Sequence, residues 1–144
     1  MSNLVKKTLI LYADDDDLLS HLVQKYVTDF EILRVTGGEE ALEFLNRSGA
    51  YSDAPRPDLL LLDLHMPRRD GFDILASIRA SPALATLPVA IFTTSQWPAD
   101  RDKAFALGAD HFVQKPTGLD AFAELATTLG EIVREIHGTN GNRS

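Results

Sequence analysis

The chain has 144 residues, a net charge of −7 at pH 7 and a pI near 4.9. A chain of this length is long enough for one domain with a single core and too short for two. The acidic balance argues against direct nucleic-acid binding through a basic surface, and the absence of cysteine excludes disulfides, zinc thiolates and thiol catalysis.

The hydropathy of the chain indicates its compartment. Residues 1–7 lack the apolar run of a signal peptide. No segment approaches the roughly 20 apolar residues that a membrane-spanning helix needs. We therefore expect a cytoplasmic protein without a membrane partner.

The first half of the chain alternates predicted strands with predicted helices. An apolar run over residues 8–13 is typical of a buried strand, and four aspartates at 14–17 follow it. Apolar residues at spacings of three and four over 18–27 predict a helix that buries one face. Residues 30–35 predict a second strand, and residues 39–45 predict a second helix with acids in its first turn.

The second half continues this alternation after a long connection over residues 48–57. Four leucines at 59–62 predict a strand buried on both faces, and Asp63 ends it. The remaining elements are a helix over about 72–79, a strand over 87–92 that ends at Thr93, a helix between Pro98 and Gly108, a strand over 111–114 that ends at Lys115, and a helix over about 119–137. Residues 138–144 are polar, and we expect a flexible tail there.

Five strands alternating with five helices predict an α/β fold in one domain over residues 1–144, with its core over about 7–137. Each crossover helix returns the next strand in the same direction, so the sheet should be parallel. Right-handed crossovers with helices on both faces favour the flavodoxin-like, doubly wound strand order 2-1-3-4-5. The switch point of that order lies between the first and third strands.

Polar side chains follow four of the predicted strands: Asp14 and Asp15, Asp63, Thr93, and Lys115. Because the carboxyl ends of parallel strands meet at one edge of a sheet, these residues should form a cluster. A single aspartate at a strand end more often caps a loop, so the inference depends on the whole set. Three close carboxylates repel one another unless a hard cation joins them, which predicts a Mg²⁺ site.

The cluster also predicts a reaction. Asp63 is a candidate nucleophile, since carboxylates form aspartyl-phosphate intermediates and phosphoryl transfer depends mainly on alignment and charge neutralisation. Lys115 can neutralise the transferred group, and Thr93 can donate a hydrogen bond to it. Asp16 and Asp17, by contrast, are expected to cap and begin the first helix rather than to bind the ion.

This arrangement resembles the receiver domain of two-component response regulators over almost the whole chain. The motifs are an acidic pair after the first strand, Leu62-Asp63-Leu64-His65-Met66-Pro67 after the third, Thr93 after the fourth and Lys115-Pro116 after the fifth. The resemblance implies that Asp63 accepts a phosphoryl group and binds Mg²⁺ together with Asp15 and the backbone carbonyl of His65. It implies that Asp14 acts on the ion mainly through water.

The resemblance also implies a conformational switch. Thr93 would move toward the phosphoryl group, and Phe112 would fill the space that Thr93 leaves. A cis peptide between Lys115 and Pro116 would aim the ammonium at the site. The face of the fourth helix, fifth strand and fifth helix would carry the output, including a possible homodimer, and Trp97 beside it is a candidate interface residue.

The same resemblance implies the partners. A sensor histidine kinase or a phosphotransfer protein would donate the phosphoryl group. We expect no output domain after the receiver, so a downstream protein would receive the signal. The segments 55–59 and 68–71 look similar to the small regulators that partner bacterial phytochrome kinases. No enzymatic activity is expected beyond the chain's own phosphorylation and dephosphorylation.

Two other classes of protein remain open at this stage. A Mg²⁺-dependent phosphatase of the haloacid-dehalogenase type also uses Asp, Thr and Lys around an aspartyl phosphate, but Asp14 to Leu18 lacks the expected ending of its motif. A phosphate-independent receiver that only binds partners is the third class, although every site residue is present here.

Overall fold

Five strands form one parallel sheet in the computed structural model, which describes residues 7–141. The strands are β1 (Leu9–Ala13), β2 (Glu31–Val35), β3 (Leu59–Asp63), β4 (Val89–Thr93) and β5 (His111–Gln114). Their order is β2-β1-β3-β4-β5, and all four neighbouring pairs are parallel. The predicted order 2-1-3-4-5 is therefore confirmed.

Five helices connect and follow the strands. They are α1 (Asp17–Tyr26), α2 (Gly38–Asn46), α3 (Gly71–Ala80), α4 (Pro98–Ala106) and α5 (Leu119–Gly141). The long connection before β3 contains a short 3-10 turn over Gly49–Tyr51. Within residues 7–141 no helix combines the length and the apolar character needed to span a bilayer.

The sheet is buried on both faces, as the run of leucines predicted. Leu60 and Leu62 pack into a core cluster with α2, α3 and α4, whereas Leu59 and Leu61 pack on the other face with α1 and α5. All four leucines are completely buried. Successive side chains of a strand point to opposite faces, so β3 contributes to both halves of the core.

The observed helices differ from the predicted ones at two places. Leu18 and Tyr26, predicted on the buried face of the first helix, are 69% and 41% exposed. Helix α5 continues beyond His137 to Gly141, so the predicted tail is helical at 138–141, and residues 142–144 lie outside the described part of the chain. A single glycine such as Gly138 costs a helix about 1 kcal/mol relative to Ala and does not end it.

Candidate functional site

Three carboxylates meet at the carboxyl edge of the sheet. Asp14 follows β1 and Asp63 ends β3, and these strands are hydrogen-bonded neighbours with Ala13 opposite Leu62. One carboxylate oxygen from each of Asp14, Asp15 and Asp63 lies within 4.8 Å of the others. Asp14 and Asp63 are buried, whereas Asp15 is exposed. The acidic cluster predicted from the strand ends is therefore present.

Lys115 joins the two buried carboxylates. Its Nζ lies 3.0 Å from Asp14 Oδ2 and 3.2 Å from Asp63 Oδ1. It reaches them across β4, where Nζ lies 5.7 Å from the centre of the Phe92 ring. The expected cis peptide before Pro116 is absent, since the described residues contain no cis peptide. The long lysine side chain reaches the cluster from a trans backbone.

The charges of the cluster shift the ionisation of its members. Burial and the neighbouring Asp14 charge raise the pKa of Asp63 to about 6, although Lys115 and the His65 N–H partly offset them. Burial opposes the charge of Lys115, but the charges of Asp63 and Asp14 outweigh it and raise the lysine pKa. Lys115 therefore remains an ammonium at neutral pH, opposite a carboxylate whose negative charge is disfavoured.

The two predicted switch residues lie on β4 and β5. Thr93 is completely buried, one residue beyond the position paired with Asp63. Its Oγ1 accepts a hydrogen bond from Ser95 N at 3.0 Å, so the hydroxyl is engaged by the loop that follows β4. Phe112 is half-buried and packs against the α2, α3 and α4 side of the core.

The aspartates after the acidic pair have structural roles, as predicted. Asp16 is the N-cap of α1, and its Oδ1 accepts a hydrogen bond from Leu19 N at 3.0 Å. Asp17 lies in the first turn and forms an ion pair of 2.8 Å with Arg34. The carboxylates grouped closely enough to hold a cation are therefore those of Asp14, Asp15 and Asp63.

The sequence reasoning missed two side chains that hold the site. The Tyr12 hydroxyl donates to Asp14 Oδ2 at 2.8 Å, and Arg34 Nε donates to the Asp14 carbonyl at 3.0 Å. A signal for Tyr12 was available, because residues two apart on a strand share a face. Arg34 lies on the neighbouring strand β2. Its contact with Asp14 depends on the register between β1 and β2, which pairs Arg34 with Tyr12.

Comparison with known proteins agrees with this geometry. The sequence model of the response regulator receiver domain matches residues 10–127. The chain belongs to this family. This receiver domain shares the fold and the acidic strand-end cluster that the two-component resemblance predicted, and the resemblance is confirmed at the level of the family.

The similar proteins are response regulators, and several of the matching solved structures are named as phytochrome response regulators. Response regulator Rcp1 of Synechocystis sp. is 35% identical over 115 residues, which cover 77% of this chain and 78% of that protein. The phosphorylated cyanobacterial phytochrome response regulator RcpA superposes with a TM-score of 0.81 at 29% identity, over 88% of this chain and 93% of that one. The Mn²⁺-bound form of Rcp1 superposes with a TM-score of 0.76 at 34% identity, over 83% and 90% of the two chains.

Proposed function

We propose that this receiver domain accepts a phosphoryl group on Asp63 from a phosphohistidine donor in the presence of Mg²⁺, and signals by conformational change and protein binding. The observation that supports the proposal is the convergence of Asp14, Asp15, Asp63 and Lys115 at one sheet edge. An exposed acid beside two buried ones, with an ammonium between them, is suited to a cation and a phosphoryl group together.

The donor set fits Mg²⁺, because that ion prefers a few carboxylates completed by carbonyl, water and phosphate oxygens. Asp15, Asp63 and the backbone carbonyl of His65 would hold it. Asp14 would act through water, since both of its carboxylate oxygens already accept hydrogen bonds from protein groups. When bound, the ion neutralises charge on the carboxylates and on the incoming phosphoryl group. A relative, Rcp1, has been solved with Mn²⁺ bound.

The chain's own residues then carry out the transfer. A carboxylate oxygen of Asp63 bonds to phosphorus as the P–N bond of the donor breaks, and the electron pair of that bond leaves with the imidazole nitrogen. Lys115 moves its charge from Asp63 to a phosphoryl oxygen. The Thr93 hydroxyl donates a hydrogen bond to another phosphoryl oxygen. Positioning and charge neutralisation account for the rate, as in other phosphoryl transfers.

Labelling with acetyl phosphate tests the acceptor. With Mg²⁺ we expect one phosphoryl group per chain, and no labelling of Asp63→Asn or of wild type in EDTA. Asp70→Asn is the matched control, because Asp70 caps α3 and Asn is an equally good cap. Full labelling of Asp63→Asn would overturn the assignment. Unlabelled wild type would favour a phosphate-independent receiver, and sustained hydrolysis of small phosphate esters would favour a phosphatase.

Two exposed leucines are candidate docking residues for a protein donor. Leu18 in the first turn of α1 is 69% exposed, and Leu119 at the start of α5 is 62% exposed. Both leucines follow strand ends that supply residues of the cluster, and we take them as contacts for a protein donor. The donor would be a sensor histidine kinase or a phosphotransfer protein, and the likeness to a phytochrome response regulator supports a kinase of the phytochrome class.

Substitution of Leu18 separates docking from chemistry. We expect Leu18→Ser to slow transfer from a phosphorylated phosphotransfer protein by about tenfold, because about 1.4 kcal/mol of apolar contact is lost. Labelling by acetyl phosphate should not change, since that donor is too small to touch Leu18. Phe105→Ser, which removes an exposed ring from α4, is the control. Equal slowing with both donors would contradict the docking role.

Output would leave by the face formed by α4, β5 and α5, either to a downstream protein or to a second copy of the chain. Trp97, the N-cap residue of α4, is 73% exposed at the edge of this face. Phe112 lies on β5 within it. Movement of Thr93 toward the phosphoryl group, followed by Phe112, would connect Asp63 to this surface.

A further inference from the structure

Tyr12 is a tyrosine in an otherwise apolar strand, and it is completely buried. Its hydroxyl donates to Asp14 Oδ2 at 2.8 Å, and the same oxygen accepts from Lys115 Nζ at 3.0 Å. Asp14 is thus the single residue that links the Tyr12 phenol to the Lys115 ammonium, which also faces Asp63. Valine or isoleucine would supply the apolar contacts of this strand position but would lack the hydrogen bond.

Asp14 has a protein partner at each of its polar groups. These contacts are Asp14 N to Val35 O (3.1 Å), Arg34 Nε to Asp14 O (3.0 Å), Asp16 N to Oδ1 (3.0 Å), and the two donors to Oδ2 given above. The side chain is also completely buried. These contacts fix the orientation of the Asp14 carboxylate more firmly than that of a carboxylate that must rotate to bind an ion.

The ring of Tyr12 cannot easily release this contact. It packs edge-on against Phe92, with ring centres 5.7 Å apart and planes at 70°, inside the core cluster beneath α1 and α5. Phe92 also lies beneath Lys115 Nζ. A packed ring limits the hydroxyl to one location, so Asp14 Oδ2 has one preferred direction in which to accept the ammonium.

We propose that Tyr12 is a positioning residue for phosphoryl transfer, which holds Asp14 as a fixed anchor for Lys115 while Asp15 and Asp63 serve the cation. The proposal rests on the proposed function. During transfer Lys115 must leave Asp63 Oδ1, now 3.2 Å away, for a phosphoryl oxygen. An anchored Asp14 keeps Nζ within reach of both, and loss of the phenol hydroxyl would let the Asp14 carboxylate and the ammonium turn away together.

Tyr12→Phe tests this, because it removes the hydroxyl and keeps the packed ring. We expect the rate constant for labelling by acetyl phosphate at saturating Mg²⁺ to fall about tenfold, the usual effect of a hydrogen bond to a charged group. The Mg²⁺ concentration for half-maximal rate should stay within about twofold, since Asp15 and Asp63 are untouched. A purely structural role would lower thermal stability and leave the rate constant unchanged.

Tyr51→Phe is the matched control, because its hydroxyl also bonds a carboxylate, that of Glu40, away from the cluster. It should leave both kinetic parameters unchanged. In metal-free protein the ¹⁵N resonance of the Lys115 ammonium should shift in Tyr12→Phe and not in Tyr51→Phe. If Tyr12→Phe does not fold, Tyr12→Ile replaces it, with the same loss expected.

The outcomes separate this inference from the function on which it rests. Normal labelling of Tyr12→Phe with an unshifted lysine resonance would overturn the role of Tyr12 and leave Asp63 as acceptor. Equal losses of rate constant and Mg²⁺ affinity would also overturn it, because the cation site itself would then depend on the phenol. Wild type that takes no label would overturn the proposed function first.

Discussion

The Asp63 side chain is buried beside a second buried carboxylate, and this determines how the protein should respond to pH. Its pKa is raised from 3.8 to about 6 by burial and by the charge of Asp14. A folded-state pKa above the unfolded value means that the folded protein binds the proton more tightly. The contribution of the Asp63 carboxyl group to the free energy of unfolding is therefore fully present below about pH 4. It is lost as the pH rises through about 6.

Asp63→Asn removes the ionisable carboxyl group. In EDTA we therefore expect the variant to be more stable than wild type at pH 7. The difference should be on the order of 2–3 kcal/mol, at about 1.4 kcal/mol per pKa unit. It should shrink as pH falls from 6 toward 4. Urea unfolding of both proteins over this range measures it, and Asp70→Asn controls for the loss of one surface charge. A difference independent of pH would contradict the raised pKa.

The junction of β3 and α3 holds the backbone of Asp63, the proposed acceptor. Gly71, the first residue of α3, donates from its N–H to the Leu64 carbonyl at 2.9 Å. A Cβ added at Gly71 would lie 2.5 Å from the Asp63 carbonyl oxygen and 2.9 Å from Leu64 Cα. The helix therefore begins directly against the backbone of Asp63 and Leu64, and only glycine permits this approach.

Gly71→Ala should force β3 and α3 apart. We expect a loss of about 1–3 kcal/mol in the free energy of unfolding, typical of overpacking, together with slower labelling of Asp63. Gly118→Ala is the control, since no atom lies within 4 Å of the Cβ built there. Denaturant unfolding and acetyl phosphate labelling measure the two effects. Equal stability of the two variants would show that the junction can relax without cost.

At the scale of the whole molecule, a chain of hydrogen bonds links the site to the α4 surface. Thr93 Oγ1 accepts from Ser95 N at 3.0 Å, and Ser95 Oγ accepts from Trp97 N at 3.2 Å and donates to Asp100 Oδ2 at 2.6 Å. The loop after β4 is thus tied at one end to the buried threonine and at the other to the start of α4. A displacement of Thr93 would be transmitted to Trp97.

Trp97 fluorescence should report that movement. We expect its emission to change when Mg²⁺ and beryllofluoride bind together, and to stay constant in Thr93→Ala. Moving the equilibrium from 1:99 to 99:1 requires about 5.5 kcal/mol of differential stabilisation, which new contacts of Thr93 and Lys115 with the phosphoryl group could supply together. Beryllofluoride with Asp63→Asn controls for nonspecific quenching. An unchanged spectrum in wild type would argue against this path from the site to the surface.

The sheet, its strand order and the residues that meet at its edge could all be predicted from the amino-acid sequence. Periodicity identifies strands and helices, crossover helices make the strands parallel, and parallel strands bring Asp14, Asp63 and Lys115 to one end. Their assembly follows from backbone topology, which the hydrophobic pattern largely encodes. The roles of Thr93 and Phe112 in switching stay predictions.

Tertiary structure alone decided the contacts that depend on how side chains pack. The exposure of Leu18 depends on the rotation of α1 against the sheet, which a pattern of apolar spacings leaves open. The trans peptide before Pro116 depends on local geometry that two residue names do not specify. Tyr12 and Asp14 share a face of β1, but the position of the Tyr12 hydroxyl also depends on the packing of its ring against Phe92, on a strand far away in the sequence. Side-chain conformation is set by neighbours from other elements, and only the folded chain brings them together.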